Sequence, residues 1–289
     1  MRIAVIGSSG FIGTELCAAA CGAGNSVRGL DYAKPRQTVD GFEFVDLSAT
    51  CDVYGALQDC DAAVLLAARR PTASFSHGDY SFNVSLGAEY FSVFHSLGIK
   101  NVVFASSTAA YSGGAMPWRE TDACPPYSMY GASKAATDAL ALYYNASKGM
   151  NIKCLRFAQV IGMGERKGFL LNTLIDNAIA GRTQIIYGHG SAKKQYIYVK
   201  DVSAAILAAL SKGDCGGIYN IGMRYSYSAL ELAQCINRVF GNEGNLVHDY
   251  TKPESTDCFL MDVTKAEREL GFTAAYGLED AFCHIRDGL

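Results

Sequence analysis

Three glycines at regular spacing, Gly7-x-x-Gly10-x-x-Gly13, separate a short apolar run at residues 2–6 from an Ala-rich stretch at 14–21. The run before them is rich in β-branched residues, the composition of a parallel strand buried on both faces. The stretch after them reads as a helix. Strand, glycine loop and helix in that order leave few folds open. The glycines permit a tight turn and a close backbone approach, and the start of the helix attracts a pyrophosphate.

The rest of the first half repeats the alternation. A second strand at 26–30 ends at Asp31, placed to accept both ribose hydroxyls of NAD, although such an Asp can also simply open a turn. A 2′-phosphate would be repelled there, so NADP is disfavoured even with Lys34 and Arg36 just beyond. Then come a strand at 42–45 with Asp46 and Leu47, a helix to about 58 and a buried strand at 61–66. That strand runs into Ala67, Ala68, Arg69 and Arg70. A long helix is expected at 79–97 and a fifth strand at 101–105. The pattern predicts an α/β fold, a Rossmann-type doubly wound parallel sheet with ligands at the carboxyl ends of its strands.

The fifth strand delivers Ser106, Ser107 and Thr108 to that edge. A Gly- and Pro-rich loop follows, and then Tyr130 and Lys134, which on a helix lie on one face a turn apart. A lysine cation beside a tyrosine favours its phenolate, which can take a proton from a hydroxyl or return one to a carbonyl.

Composition narrows the class. Of 289 residues, 49% are hydrophobic and 18% charged, as in globular proteins, and the net charge of −3 carries no footprint for nucleic acid or a membrane surface. Ten cysteines form no C-x-x-C pair; Cys17 and Cys21 share a helix spacing that suits packing. The five histidines show no ligand spacing, so no metal is expected. No signal peptide or long apolar span is apparent, which makes a cytoplasmic location the expectation.

Taken together, the glycine motif, Asp31, Asp46, Leu47, Ala67, Ala68, Asn83, Ser107 and Tyr130-x-x-x-Lys134 resemble the extended short-chain dehydrogenase/reductases. More narrowly, they resemble the NAD-dependent epimerase/dehydratase group that acts on nucleotide sugars. The likeness continues through Leu155, Arg156 and Gln159 to Gly162, then Gly188 and Gly190, residues 196–202 and 219–222, and closes at Asp262, Lys265, Leu270 and Phe272. It implies Ser107 as the catalytic hydroxyl, Tyr130 as acid/base, and Lys134 as the group that binds the nicotinamide ribose and lowers the Tyr130 pKa. It implies that Gly7, Gly10, Gly13 and the amides of Phe11 and Ile12 cover the pyrophosphate. Asp31 would take the ribose and Asp46 and Leu47 the adenine, with Leu66, Ala67, Ala68, Arg70 and Asn83 completing the cofactor set.

The departures sharpen the reading. Where dehydratases of the group carry an acidic pair after the catalytic hydroxyl, this chain has Ala109 and Ala110, which argues against a 4,6-dehydratase. Gln159, Lys194 and Lys252 stand where relatives use an asparagine and two arginines toward the substrate diphosphate. Lysine keeps the charge there but loses the bidentate fork.

The expected organisation is a dinucleotide-binding domain at 1–165 and a smaller, mainly substrate-binding lobe at 166–289, with about 195–222 returning to the Rossmann sheet. Helices are expected at 169–180, 203–210 and 228–240, and a short closing one around Ala281. The expected activity is oxidoreduction or epimerisation at a sugar hydroxyl, foremost C4 of a nucleotide-linked hexose. A ketoreductase on a keto-sugar or small carbonyl and a non-catalytic NAD-binding regulator stay open. A homodimer is expected because the helices at 79–97 and 130–148 carry Phe82, Tyr90, Phe94, Leu140, Leu142, Tyr143 and Tyr144, and relatives pair these helices in a four-helix bundle.

Overall fold

In β1 (Arg2–Ile6) alternate side chains serve two different cores. Ile3 and Val5 pack on one side of the strand and Ala4 and Ile6 on the other, all almost fully buried. A strand with two buried faces belongs in the middle of a sheet, and β1 is there. The computed structural model describes residues 1–49, 52–70, 75–123, 125–165 and 170–289.

From β1 the chain passes through α1 (Phe11–Gly22) to β2 (Ser26–Asp31) and β3 (Phe42–Asp46), laid down successively on one side. It then crosses back through α2 (Val53–Leu57) to β4 (Ala62–Leu65) on the other side of β1. Next come α3 (His77–Ser96), β5 (Asn101–Ser107), α4 (Met129–Lys148) and β6 (Asn151–Phe157), each strand adding outward. β7 (Gln159–Ile161), α5 (Leu170–Ile179), β8 (Gln184–Tyr187), β9 (Lys193–Tyr198) and α6 (Val199–Ser211) precede β10 (Gly217–Ile221), which closes the sheet beside β6. The order is β10-β6-β5-β4-β1-β2-β3, seven strands, all parallel. The strand direction of growth reverses between β1 and β4, and sheets of this kind bind ligands at such a switch point, outside the carboxyl edge.

α1 and α6 cover one face and α3 and α4 the other. Phe91 and Phe94 on α3 are fully buried against the sheet, and the Phe91 ring stands edge-on to Phe104 with centroids 5.9 Å apart. A third apolar cluster joins α5, β9, α7 (Ala229–Phe240) and α8 (Leu278–Asp287). Around it lie two small sheets. β11 (Ser226–Ser228) pairs with β9 and β9 with β7; β12 (Leu246–Asp249) pairs with β8.

Several boundaries differ from expectation for local reasons. The second helix spans only Val53–Leu57, capped by the Asp52 carboxylate on the Gly55 amide. α3 begins at His77, ahead of residue 79, because Ser76 and Asp79 form a reciprocal capping box. α6 begins at Val199, and its buried Asp201 accepts the amides of Ala275 and Tyr276. Phe169, expected at the start of α5, lies outside the described residues. Of the apolar residues expected to form a dimer face, Tyr90 and Phe94 are buried within this chain, whereas Phe82, Leu142 and Tyr143 are exposed. Phe82 is also capped by the Arg69 guanidinium, 4.1 Å from its ring centroid. Among the described residues no helix is long and apolar enough to cross a membrane.

Candidate active site

The carboxyl edge collects most of the residues singled out from sequence. Gly7 ends β1 with φ +90°, and a Cβ there would lie 2.8 Å from the Ala67 amide nitrogen. The stretch after β4 is thus pressed against the glycine loop, and the amides of Leu66 and Ala67 both donate to the Ile6 carbonyl. A Cβ on Gly13 would collide with the Gly7 and Ser8 carbonyls. α1 therefore starts hard against the loop. It has no side-chain cap and no acidic residue in its first turn, so the amides of Phe11 and Ile12 remain available to an anion.

Asp31 sits beside this loop at the end of β2. Its Oδ2 accepts the Ser9 amide at 3.0 Å, and its Oδ1 accepts the amides of Tyr32 and Ala33 at 2.7 and 3.2 Å. The carboxylate is anchored on backbone, a finding that joins the turn-forming reading of Asp31 to the ligand-binding one. Asp46 lies directly across from Asp31 on β3, its carboxylate drawn onto the Ser48 amide and hydroxyl, and the Leu47 amide donates to the Asp31 carbonyl. Asn83, buried on α3, clamps the Arg69 backbone from both sides: its Oδ1 accepts the amide at 2.8 Å and its Nδ2 donates to the carbonyl at 2.9 Å. That fixes where Ala68 and Arg70 stand. These residues fit a dinucleotide: a cradle that any Cβ would fill, free amides, and a carboxylate one strand away.

Ser107 ends β5 and caps a single 3-10 turn, Thr108–Ala110, which carries no carboxylate. The first turn of α4 packs onto that turn so tightly that a Cβ on Gly131 would run into the Ala109 carbonyl. Glycine at 131 is what lets Tyr130 reach Ser107. The Phe75 ring meets Tyr130 edge-on at 5.8 Å.

The electrostatics draw in groups beyond the expected pair. Burial pushes the Tyr130 phenol upward, and the groups that oppose this are the Arg70 guanidinium and the Ser107 hydroxyl rather than Lys134. Lys134 is 4% exposed and turns its ammonium to the Ala105 carbonyl at 2.7 Å and the Phe104 ring. Its Nζ lies 5.8 Å from the Tyr130 ring centroid. Burial pulls the Lys134 pKa down to about 8, with Asp138 working against the fall.

The substrate-side residues are less convergent. Gln159 opens β7 opposite Tyr196 of β9, and Lys194 lies two residues before Tyr196, on the same face of that strand. Lys252 instead donates to the Tyr187 hydroxyl at 3.1 Å, at the end of β8. The segment after it is tied to the Gly188–Gly190 turn by Glu254, whose carboxylate accepts the amides of His189 and Ser191 and the Ser191 hydroxyl.

Three residues near the site were not among the expected site residues, although Arg156 lay in the family-like stretch. Glu165 has a buried carboxylate oxygen without a partner among the described residues, and burial pushes its pKa up to about 7 against the pull of Arg70. Asp138 and Arg156 form a buried ion pair at 2.9 Å behind Lys134. The spacing of Asp138, four residues after Lys134, was the one hint available for it. Among the described residues no cluster of His, Cys, Asp and Glu could hold a metal. Burial drives the Cys17 thiol up to about 12, in keeping with a packing role.

Comparison with known proteins places this geometry. A family model described as the NAD dependent epimerase/dehydratase family matches residues 3–222. A solved structure of UDP-N-acetylglucosamine 4-epimerase from Bacillus cereus superposes with a TM-score of 0.90 at 29% identity, covering 100% of this chain and 96% of that one. A structure in complex with UDP-glucuronic acid and NAD superposes with a TM-score of 0.87 at 26% identity, over 100% of both chains. A dTDP-glucose 4,6-dehydratase of Streptomyces niveus is 28% identical over 97% of this chain and 90% of its own length.

The buried lysine makes a stability prediction. A lysine with a folded pKa near 8 and a higher unfolded one binds fewer protons when folded, so in that interval its contribution to stability rises with pH. In urea unfolding of ligand-free protein, the stability of wild type relative to Lys134→Met should increase between pH 8 and 10, by at most about 1.4 kcal/mol per pH unit. A pH-independent difference would refute the assignment.

Proposed function

The chain belongs to the NAD-dependent epimerase/dehydratase family, and on that premise we propose that it is an NAD-dependent epimerase acting at C4 of a nucleotide-linked hexose. The observation that carries this is the apposition of Ser107 and Tyr130 at the carboxyl end of β5, on the sheet edge that holds the switch point. The glycine loop and the amides of Phe11 and Ile12 hold the cofactor's pyrophosphate, and Asp31 takes the adenine-side ribose in preference to a 2′-phosphate. Leu66, Ala67, Ala68 and Arg70, set in place by Asn83, line the same groove.

Bound NAD supplies a hydride acceptor that can also return the hydride. Tyr130 takes the proton from the C4 hydroxyl as that carbon is oxidised and returns it when the ketone is reduced. Ser107 holds the oxygen through both steps. Arg70 favours the phenolate from one side of Tyr130, and Lys134 presents its ammonium one helical turn behind. The 3-10 turn after Ser107 offers no carboxylate to protonate a leaving hydroxyl, which supports epimerisation over 4,6-dehydration. The chain from α5 onward, apart from α6 and β10, which return to the central sheet, mainly forms the substrate lobe. Gln159 and Lys194 meet the nucleotide's diphosphate, and Lys252 joins them when it leaves Tyr187.

Purified protein should carry NAD through dialysis, because an epimerase regenerates its own cofactor. Tyr130→Phe should keep that NAD and lose roughly 10²–10⁴-fold in kcat on UDP-hexoses. Turnover undiminished in Tyr130→Phe would overturn the mechanism. Net consumption of NADH would point to a reductase.

For the substrate lobe, UDP should raise the melting temperature of the NAD-bound protein, since a ligand that binds only the folded state stabilises it. Lys194→Ala should reduce that rise and raise KM more than it lowers kcat. No response to UDP, dTDP, GDP or CDP at millimolar concentration would remove the nucleotide from the proposal.

We also propose a homodimer through α3 and α4, where Phe82, Leu142 and Tyr143 remain exposed after both helices have covered the sheet. Light scattering at micromolar concentration should report twice the chain mass, and a monomer mass would exclude it.

A further inference from the structure

Behind Lys134 the structure keeps a set of buried polar groups that the proposed chemistry does not use. α4 carries Asp138 one turn on from Lys134 and on the same face. Asp138 is 1% exposed, and its Oδ2 accepts from Arg156 Nε at 2.9 Å. Arg156, on β6, lies with its guanidinium over the Tyr111 ring at 4.4 Å. The Tyr111 hydroxyl donates to Asn220 Oδ1 at 2.8 Å, and Asn220 Nδ2 donates to the carbonyls of Trp118 and Asp262. Arg156 is therefore braced from behind by a hydrogen-bonded chain that reaches from β10 to the end of the Pro-rich loop, and it can offer Asp138 only one arrangement.

Stability alone is a poor reason for such a pair. Desolvating two charges costs about as much as their attraction returns, and apolar residues of similar volume often do as well. Burial pushes the Asp138 carboxyl up, and the Arg156 guanidinium, the neighbouring Ser106 hydroxyl and, last, Lys134 favour its charged form. Among the described residues Asp138 Oδ1 makes no well-formed hydrogen bond, and it lies on a helix face shared with Lys134.

The groups around Lys134 single out Asp138. α4 contributes Tyr130 and Asp138. β5 contributes the Ala105 carbonyl and the Phe104 ring to Lys134, and the Ser106 hydroxyl to Asp138. β6 contributes Arg156 and Cys154, whose thiol burial keeps neutral. α3 contributes the uncharged Asn83 amide, which donates to Ser133, while its His95 ring meets α4 further along, at Tyr144. Asp138 is the one carboxylate among them.

We propose that Asp138, locked in place by Arg156, is a positioning residue that holds Lys134 as a cation against strand β5, where it can serve the nicotinamide ribose. The role toward the cofactor rests on the function proposed above; the control of Lys134 by Asp138 does not. Without the carboxylate, burial acts unopposed on the ammonium, which then loses its proton at lower pH and meets the ribose as a neutral amine.

The test follows Lys134 itself, by NMR titration of cofactor-free protein labelled in the lysine side chains, with the Lys134 signal assigned from Lys134→Arg. Asp138→Asn should lower its titration midpoint by about one pH unit or more, and Asp138→Glu should restore it. NAD titrations from pH 6 to 9.5 should show the alkaline loss of affinity moving down by the same interval in Asp138→Asn. An unchanged Lys134 midpoint in a folded Asp138→Asn protein overturns the proposal. If that variant does not fold, Asp138→Asn/Arg156→Gln, which leaves no buried charge unpaired, should show a shift in the same direction, and no shift there is equally decisive. A shifted midpoint in a protein that binds no NAD would uphold the control of Lys134 while defeating its role toward the cofactor and the function proposed for the site.

Discussion

An ammonium group withdrawn from water must find a carbonyl, a carboxylate or a lower pKa, and Lys134 has all three: the Ala105 carbonyl, Asp138, and a pKa drawn down to about 8. Much of the site's architecture follows from accommodating that charge. β5 must end where its carbonyl can receive Nζ, which also places Ser107 two residues further on. α4 must lie flat enough on the sheet to bury Lys134, and this sets its first turn, with Tyr130, against the 3-10 turn after β5. Gly131 makes that approach sterically possible.

The two sides of the site are built on different physical principles. The cofactor side is made of backbone: glycines that admit close contact, uncapped helix amides, and an Asp31 carboxylate fixed by three amides. Backbone does not rearrange easily, so this side is preorganised for a rigid ligand with a fixed diphosphate. The side proposed for the substrate is made of side chains on short strands and turns, with Lys194 half-buried on β9 and Lys252 resting on Tyr187. Long lysine stems on small sheets suit adjustment to a ligand, and under the proposed function substrate selection falls to them.

Glu165 bears on how the halves meet. Its loop follows β7, the Gly164 carbonyl accepts from Arg36, and a side chain at Gly162 would touch Phe11, so the loop crosses the start of α1. A carboxyl oxygen with no partner among the described residues, and a pKa that burial pushes up to about 7 against Arg70, put an acid that titrates near neutrality beside the groove. Arg70 thus faces two groups, Tyr130 and Glu165, and favours the charged form of each.

The parts of this protein legible in the sequence are those governed by local rules. The strand–glycine–helix order, the two-sided burial of β1 and β4, and the four-residue step from Tyr130 to Lys134 follow from backbone sterics, side-chain periodicity and helix geometry, each acting over a few residues. From them came the parallel sheet, its ligand-binding edge, and Ser107, Tyr130 and Asp31 gathered along it. What only the tertiary structure decided are quantities that depend on neighbours far away in the chain. The orientation of Lys134 is set by β5, the charge balance behind it by Arg156 on β6, and the bracing of Arg156 by Tyr111 and Asn220. Spacing alone pointed to Lys134 as the group that favours the Tyr130 phenolate. In the fold, burial pushes that phenol up and Arg70 and Ser107 oppose the rise, because desolvation depends on everything packed around a group and no local pattern records that sum.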